Sequence, residues 1–229
     1  MGGIWRRLSG ASVLQSPGII AAVFPQKPER AIHRNALLTG AQSPVDQRAA
    51  VDTLSTTYAT DGVEHFAGWV HESDEAMCDT LRAHGFAIET STRAMALDLA
   101  DLARSRPEIA AASLPWHEYV RRFGLQDSFL AHADHDRFIL GVARRDGKPV
   151  AAALAFDHEG DCGIYNVGPL EHARRQGYAS VVTLHHLHDA RTRGCQTASL
   201  QATPMAEYLQ AAIDFRGLGR IHKYLPAGR

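Results

Sequence analysis

Between Phe138 and Gly168 the chain holds three strand-like runs separated by two turn signals, and just after them its hydrophobic period changes. Phe138 to Arg145 reads as a strand, and Asp146-Gly147 is a dipeptide that tight hairpin turns favour. Pro149 to Phe156 returns as a second strand, His158-Glu-Gly-Asp161 makes another turn, and Cys162 to Gly168 is a third. This is an antiparallel meander. Beyond a glycine-bearing loop, Val181, Leu184, Leu187 and Ala190 recur at helical spacing, with Gly194 placed to close that helix. Thr197 to Thr203 then reads as a buried strand, Pro204 opens a helix running to about Ile213, and Arg216 to Leu225 supplies a last strand. Strands followed by alternating helix and strand make a mixed α/β layout.

The first hundred residues have a related rhythm. Ile19 to Phe24 and Ile32 to Leu38 read as strands, with Gln26-Lys-Pro-Glu29 between them. Pro44 to Asp61 is expected to be helical, Val63 to Val70 a strand, Ser73 to His84 a helix capped by Ser73, and Phe86 to Leu99 strand material. Leu99 to Ala112 and Trp116 to Ala133 also read as helical, interrupted by Pro107 and Pro115. Thr80 to Phe86 ends the last helix of the first half much as Leu209 to Phe215 ends that of the second. We read the chain as a degenerate internal duplication, residues 1–100 and 101–229.

Composition narrows the function classes. A net charge of -1 with signs mixed along the chain gives no pull toward nucleic acid or an anionic membrane. Three cysteines (Cys78, Cys162 and Cys195) at wide spacings make neither a zinc pattern nor a disulfide framework, and suit a reducing cytoplasm. The early apolar run Ile19 to Phe24 is far shorter than the roughly 20 residues of a membrane span. Residues Met1 to Leu14 carry Arg6 and Arg7 with no apolar segment behind them, so a signal peptide is not expected.

Chemistry concentrates in Val167-Gly-Pro-Leu-Glu-His-Ala-Arg-Arg-Gln-Gly-Tyr-Ala-Ser180. Its core, Arg174-x-x-Gly177-x-Ala179, follows a strand and opens a helix. Backbone N–H groups at a helix start are unpaired and face outward, which suits a diphosphate. Gly177 and Ala179 leave its approach clear, and Arg174 or Arg175 adds positive charge. Read from the residues alone, the segment is either such an anion site or a plain strand-to-helix turn. A dinucleotide site is disfavoured, because G-x-G-x-x-G is absent and the sheet before the loop is antiparallel.

This arrangement resembles the pantetheine and pyrophosphate motif of the GNAT superfamily of acyl-CoA-dependent N-acyltransferases. The resemblance covers roughly the last 100 residues, through Pro204-Met-Ala-Glu-Tyr-Leu-Gln-Ala-Ala-Ile-Asp-Phe215. It implies a GNAT fold, α/β with a mixed, mostly antiparallel sheet flanked by helices, preceded by a partial GNAT-like N-terminal half. It implies that Asn166, Val167, Gly168 and Pro169 border the pantetheine arm of acetyl-CoA, and that Arg174, Arg175, Gln176, Gly177, Tyr178, Ala179 and Ser180 hold the diphosphate. The activity implied is direct transfer of an acetyl group from acetyl-CoA to a primary amine. The alternative is a non-catalytic acyl-CoA-binding sensor or partner-binding protein, and a homodimer through a sheet edge is compatible with either.

In many family members a Tyr four residues before a Gly-Phe pair protonates the departing thiolate. Here that position is Gln210, and the Gly is Asp214. Gln donates a hydrogen bond but supplies no proton. Tyr208 lies about 200° around the helix from Gln210 and should face elsewhere. Glu207 could reach the cleft or interact with its own helix start. Tyr165 lines the expected cleft but is no natural base at neutral pH. His185, His186 and His188, and the run His132-Ala-Asp-His-Asp136, lack a recognised ligand pattern, so no metal site is expected. The loop between Leu38 and Val51 lacks Arg-x-x-Gly-x-Ala, so the first half is expected to bind no CoA and to shape the acceptor site.

Overall fold

A computed structural model describes residues 12–23, 35–39, 43–60, 63, 66–108, 114–126 and 135–227. In chain order the elements are β1 (Ser12–Ser16), β2 (Ile19–Val23), β3 (Asn35–Leu38), α1 (Pro44–Thr60), β4 (Ala67–His71), α2 (Glu75–Ala83), β5 (Phe86–Asp98) and α3 (Trp116–Arg122). There follow β6 (Ile139–Arg145), β7 (Lys148–His158), β8 (Asp161–Pro169), α4 (Tyr178–Thr192), β9 (Thr197–Ala202), α5 (Pro204–Ala211) and β10 (Arg216–Pro226). The chain forms two compact units. Among the described residues the first comprises 12–92 and 219–227, and the second 93–126 and 135–218.

The first unit has strand order β1-β2-β3-β4-β10. β1 and β2 form a hairpin whose turn ends at Gly18 with φ 77°. β3 and β4 pair in parallel, and α1 makes the crossover between them. Ser43 starts that helix, its hydroxyl accepting from the Asp46 N–H at 3.3 Å, and Pro44 fills the first helical position. Leu54, Tyr58, Met77 and Leu81 bring α1 and α2 onto the sheet, where Tyr224 of β10 is also buried.

The second unit has strand order β5-β9-β8-β7-β6. Its meander turns where the sequence predicts. Asp146 and Gly147 have φ 51° and 74°, and Glu159 and Gly160 have 49° and 82°. Two successive left-handed residues give the turn whose twist matches a hairpin. Ala151, Ala153 and Ala155 present a smooth face on β7, and Val182, Leu187 and Ala190 of α4 pack against it with Ile164. Within this core His186 is fully buried, and its Nε2–H donates to the Ala153 carbonyl at 3.0 Å.

Four local expectations are corrected. Leu99 to Glu108 forms turns rather than the start of a helix. The Asp98 carboxylate accepts from the Ala100 N–H, Leu99 donates to the Gln196 carbonyl, and Arg104 and Arg106 reach Ala212 and Asp189. Leu99 and Leu102 are buried, and helical spacing serves a pair of turns equally well. The helix from Trp116 stops at Arg122, because Gly124 at φ 67° closes it; its expected continuation past residue 126 lies outside the described residues. The cap of α2 is Asp74, which accepts from the Met77 N–H, while Ser73 bonds the His71 ring. β4 begins at Ala67, and β1 is a strand with no sequence signal strong enough to announce it. Phe24, residues 32–34 of the second expected strand, the Gln26 to Glu29 turn and His132 to Asp134 also lie outside the described residues.

Replacing Leu187 by Ala will lower stability by about 2–5 kcal/mol in urea unfolding, since a fully buried leucine leaves a cavity. Burial pushes His186 down from 6.5 to about 4, against the opposing hydrogen bond to Ala153 and with His185, Asp189 and Arg193 nearby. The unfolded chain therefore binds this proton more readily than the folded one. Its stabilising contribution is full above about pH 6.5 and declines as pH falls toward 4. Urea titrations at pH 7 and pH 5 will show this loss in the wild type and a smaller one in His186→Gln.

Candidate functional site

The second unit opens along a single seam. β8 and β9 pair in parallel only over Asp161–Thr197, Cys162–Ala198 and Gly163–Ser199. Beyond Gly163 each strand keeps its other neighbour. β9 stays paired with β5 along its whole length, from Arg93–Ala202 to Asp98–Thr197. β8 stays with β7 as far as Ala151–Pro169. The C-terminal arms of two parallel strands thus part, and the β8 edge toward the gap keeps backbone N–H and C=O groups that no strand takes up. Such a crevice beyond the carboxyl ends of parallel strands is where α/β folds place ligands.

A bulge shapes the β8 arm. Leu154 faces Tyr165 and Ala152 faces Gly168, so Ala153 alone opposes both Asn166 and Val167. Asn166 has φ 54°, a conformation that asparagine tolerates better than most residues. Its Nδ2–H donates to the Tyr119 hydroxyl of α3 at 3.2 Å. Burial pushes the Tyr119 phenol up to about 12, so it stays protonated and available as a partner. A Cβ at Gly168 would meet nothing within 4 Å, and the space beside this arm is open.

The β8 arm leads through a short 3-10 turn, Glu171–Ala173, to the start of α4. Ala173 is buried and pins this turn, whereas Arg174, Arg175, Gln176 and Gly177 are exposed. Gly177 caps the helix at φ 81° with no side-chain cap and nothing within 4 Å of where a Cβ would lie. Glycine is needed here for its backbone, and the space before the first turn is clear. That turn contains no acidic residue. The N–H groups of Tyr178, Ala179 and Ser180 begin the helix, with the positive end of its dipole behind them. Arg145 donates to the Gln176 side-chain Oε1 at 2.9 Å, and the Gln176 Nε2–H donates to the His172 carbonyl at 3.2 Å, which fixes the loop from two sides. Arg174 and Arg175 bring two charges beside it.

The β9 arm leads directly into α5. Ala206 packs on the core, and Gln210, one turn later on the same face, is only 3% exposed. The Gln210 Oε1 has no hydrogen-bond partner among the described residues. Tyr208 is 86% exposed and points to solvent, while Glu207 is half-buried. Asp214 keeps the left-handed turn at φ 75°, with Phe215 N–H donating to the Gln210 carbonyl. The helix end is thus formed at Asp214 without a glycine.

Of the other residues considered, Tyr165 is half-exposed, with its ring lying over Gly163 where a Cβ would meet its hydroxyl. His185 pairs with Asp189, His188 meets the Arg104 carbonyl, and His186 faces the core, so the three do not converge. Among the described residues no group of three His, Cys, Asp or Glu is placed to hold a metal. An open concavity along α1, lined by Asp52, Thr53, Thr56, Thr57 and Thr60, is helix surface whose Thr53, Thr57 and Thr60 hydroxyls bond the preceding turn. Tyr119 and Arg145 support the crevice and were not legible as site residues, since each acts through a partner distant in sequence. For His186 the available signal was Gly141 in the middle of a strand, a position that often marks close approach.

The fold is that of known proteins. The family model described as an acetyltransferase (GNAT) domain matches residues 81–208, more than half of the chain. A GCN5-related N-acetyltransferase from Kribbella flavida superposes with a TM-score of 0.78 at 18% identity, covering 96% of this chain and 90% of that one. One from Sphaerobacter thermophilus gives 0.61 at 15% identity, over 96% and 82%. A tandem GNAT protein from the clavulanic acid biosynthesis pathway, solved without AcCoA, gives 0.69 at 13%, over 96% and 83%. No curated protein sequence matches the chain. The α/β architecture, its mixed sheet and the family match together identify the chain as a member of the GNAT acetyltransferase family.

Proposed function

We propose that the protein is an N-acetyltransferase that moves an acetyl group from acetyl-CoA directly to a primary amine. The observation that carries this reading is the seam between β8 and β9 running into the uncapped, basic start of α4. An extended pantetheine arm needs backbone donors and acceptors along one edge, and Asn166, Val167, Gly168 and Pro169 supply that edge. A diphosphate needs outward N–H groups and positive charge, and Arg174, Arg175, Gln176, Gly177, Tyr178, Ala179 and Ser180 supply both.

The chemistry follows from what the thioester requires. A deprotonated amine attacks the carbonyl carbon, the tetrahedral intermediate collapses, and CoA leaves as a thiolate that takes up a proton. Gln210 has no proton to give, so its amide would orient or hydrogen-bond the departing group while water delivers the proton. Tyr208, exposed to solvent, takes no part in this scheme, and Glu207 is retained as a candidate for handling the amine proton. The buried amide at 210 favours one second reading, an acyl-CoA-binding protein without turnover.

The clavulanic acid pathway protein is a tandem GNAT protein. Here β3-α1-β4-α2-β5 repeats the order β8-α4-β9-α5-β10, each around one parallel strand pair. We read the first set, residues 1–100, as a degenerate copy that binds no CoA and serves the acceptor, and residues 101–229 as the donor-binding domain. All three cysteines are free thiols, which fits a reducing cytoplasm. No helix among the described residues is long and apolar enough to cross a membrane.

Calorimetric titration of CoA will show micromolar binding by the wild type. Gly177→Glu, which places a carboxylate before the helix start, will weaken it by about 30-fold or more. Gly177→Ala, which adds only backbone strain, will change it far less, and equal losses in both would remove the anion site. Thiol release from acetyl-CoA in the presence of an amine panel will report turnover. Gln210→Tyr will raise kcat toward the roughly 10²-fold that a general acid typically contributes. A wild type and variant that both bind CoA without any turnover would establish the binding protein instead.

A further inference from the structure

The core of the second unit contains a polar contact that packing alone does not require. His186 lies two helical turns into α4, fully buried among Ala153, Val182 and Leu187. A carbonyl only accepts, so Nε2 of His186 carries the proton and donates to Ala153 at 3.0 Å. Nδ1 is then a bare lone pair, buried without a partner among the described residues. An unmet buried acceptor costs on the order of 1–3 kcal/mol, and a leucine would fill similar space without that penalty.

Room for the ring is made on the neighbouring strand. Gly141 pairs with Ala153 across β6 and β7, and a Cβ there would lie 2.5 Å from the His186 Nε2. Glycine weakens a strand interior, so two unfavourable choices, Gly141 and His186, are spent on one contact. The contact is made at Ala153, the residue that alone opposes Asn166 and Val167 across the bulge. From α3, Tyr119 holds the same bulge through Asn166. Phe156 packs at a tilt against Phe138, which stacks on Trp116 of α3, and strand alternation puts Phe156 on the face opposite Ala155 and the α4 core. The bulge is thus gripped from both faces of the sheet.

We infer that His186 is a positioning residue for the acyl donor: through the Ala153 carbonyl it fixes the bulge at Asn166–Val167, and with it the register in which the β8 edge meets the pantetheine arm. Because the same helix begins at Gly177, His186 ties the arm-binding strand to the diphosphate-binding turn. This rests on the acyl-CoA reading given above.

The test separates the two parts of the ligand. CoA and 3′-phospho-ADP share the diphosphate, but only CoA carries pantetheine. His186→Leu will weaken CoA binding by about tenfold, the worth of one well-placed hydrogen bond, and leave 3′-phospho-ADP binding within about twofold. Gly141→Ala, which displaces the ring, will reproduce this pattern, and His186→Gln, which restores a donor, will recover most of the CoA affinity. Equal weakening of both ligands, or of neither, overturns the inference while leaving the donor site intact. Amide hydrogen exchange in the ligand-free protein supplies the second readout. In His186→Leu the amides of Tyr165 to Gly168 will exchange faster while those of the α4 interior hold, and uniform acceleration overturns the inference. Failure of the wild type to bind CoA removes the functional reading, and the exchange experiment alone then decides whether His186 fixes the bulge.

Discussion

A parallel ladder of three residue pairs, ending at Gly163 and Ser199, governs the second unit. Two parallel strands would ordinarily continue side by side, because each added pair satisfies two backbone groups. Here β8 is drawn away, its arm committed to β7 through a bulge that changes its register, while β9 is committed to β5. Backbone polarity is therefore left open between two strands in the interior of the strand order, and not only at the outer edge that β6 provides. The helix starts that follow each arm, α4 and α5, end up flanking that opening by chain connectivity alone. The Asn166 conformation, the Tyr119 hydrogen bond and the buried His186 are all local supports for that departure.

Charge placement differs along the two segments. The β8 arm is a run of neutral residues, whereas the α4 start combines unpaired N–H groups, the positive end of a helix dipole and the exposed Arg174 and Arg175. Gln176, bonded to Arg145 on β6, keeps the turn between them from collapsing onto the helix. On the other arm, α5 buries the Gln210 amide. After it, Asp214 adopts the left-handed turn at φ 75° without a glycine.

The features that the sequence announced are those set by a residue's own backbone. Asp146-Gly147 and Glu159-Gly160 demand positive φ, so the hairpins were readable, and so were the alanine-rich face of β7 and the helical period of α4. The helix start at Gly177 was readable for the same reason, since a glycine between a strand and a helical period suits the left-handed cap it forms at φ 81°. The bulge was not, since Asn166 carries no glycine signal and its conformation is imposed by Ala153, Tyr119 and the pairing of β7. Leu99 and Leu102 misled because burial at a three-residue spacing does not distinguish a helix from turns held by Asp98, Arg104 and Arg106. Ser12–Ser16 gave no warning, as Val13 and Leu14 between polar residues are too short a run to announce a strand that β2 completes.

The pairing of the long strands carries a consequence for dividing the chain. The edge that completes β9 comes from Arg93–Asp98, and the edge that completes β4 comes from Ile221–Tyr224. Neither lies on its own side of a cut at residue 100. A fragment starting there would expose the whole outer edge of β9, and a fragment ending there would bare the edge of β4, each a template for unwanted strand addition. The two sequence halves are thus bound into one expressible whole, because each needs a strand from the other to cover its sheet. A simple break at the middle of the gene would therefore leave two pieces, each prone to aggregate.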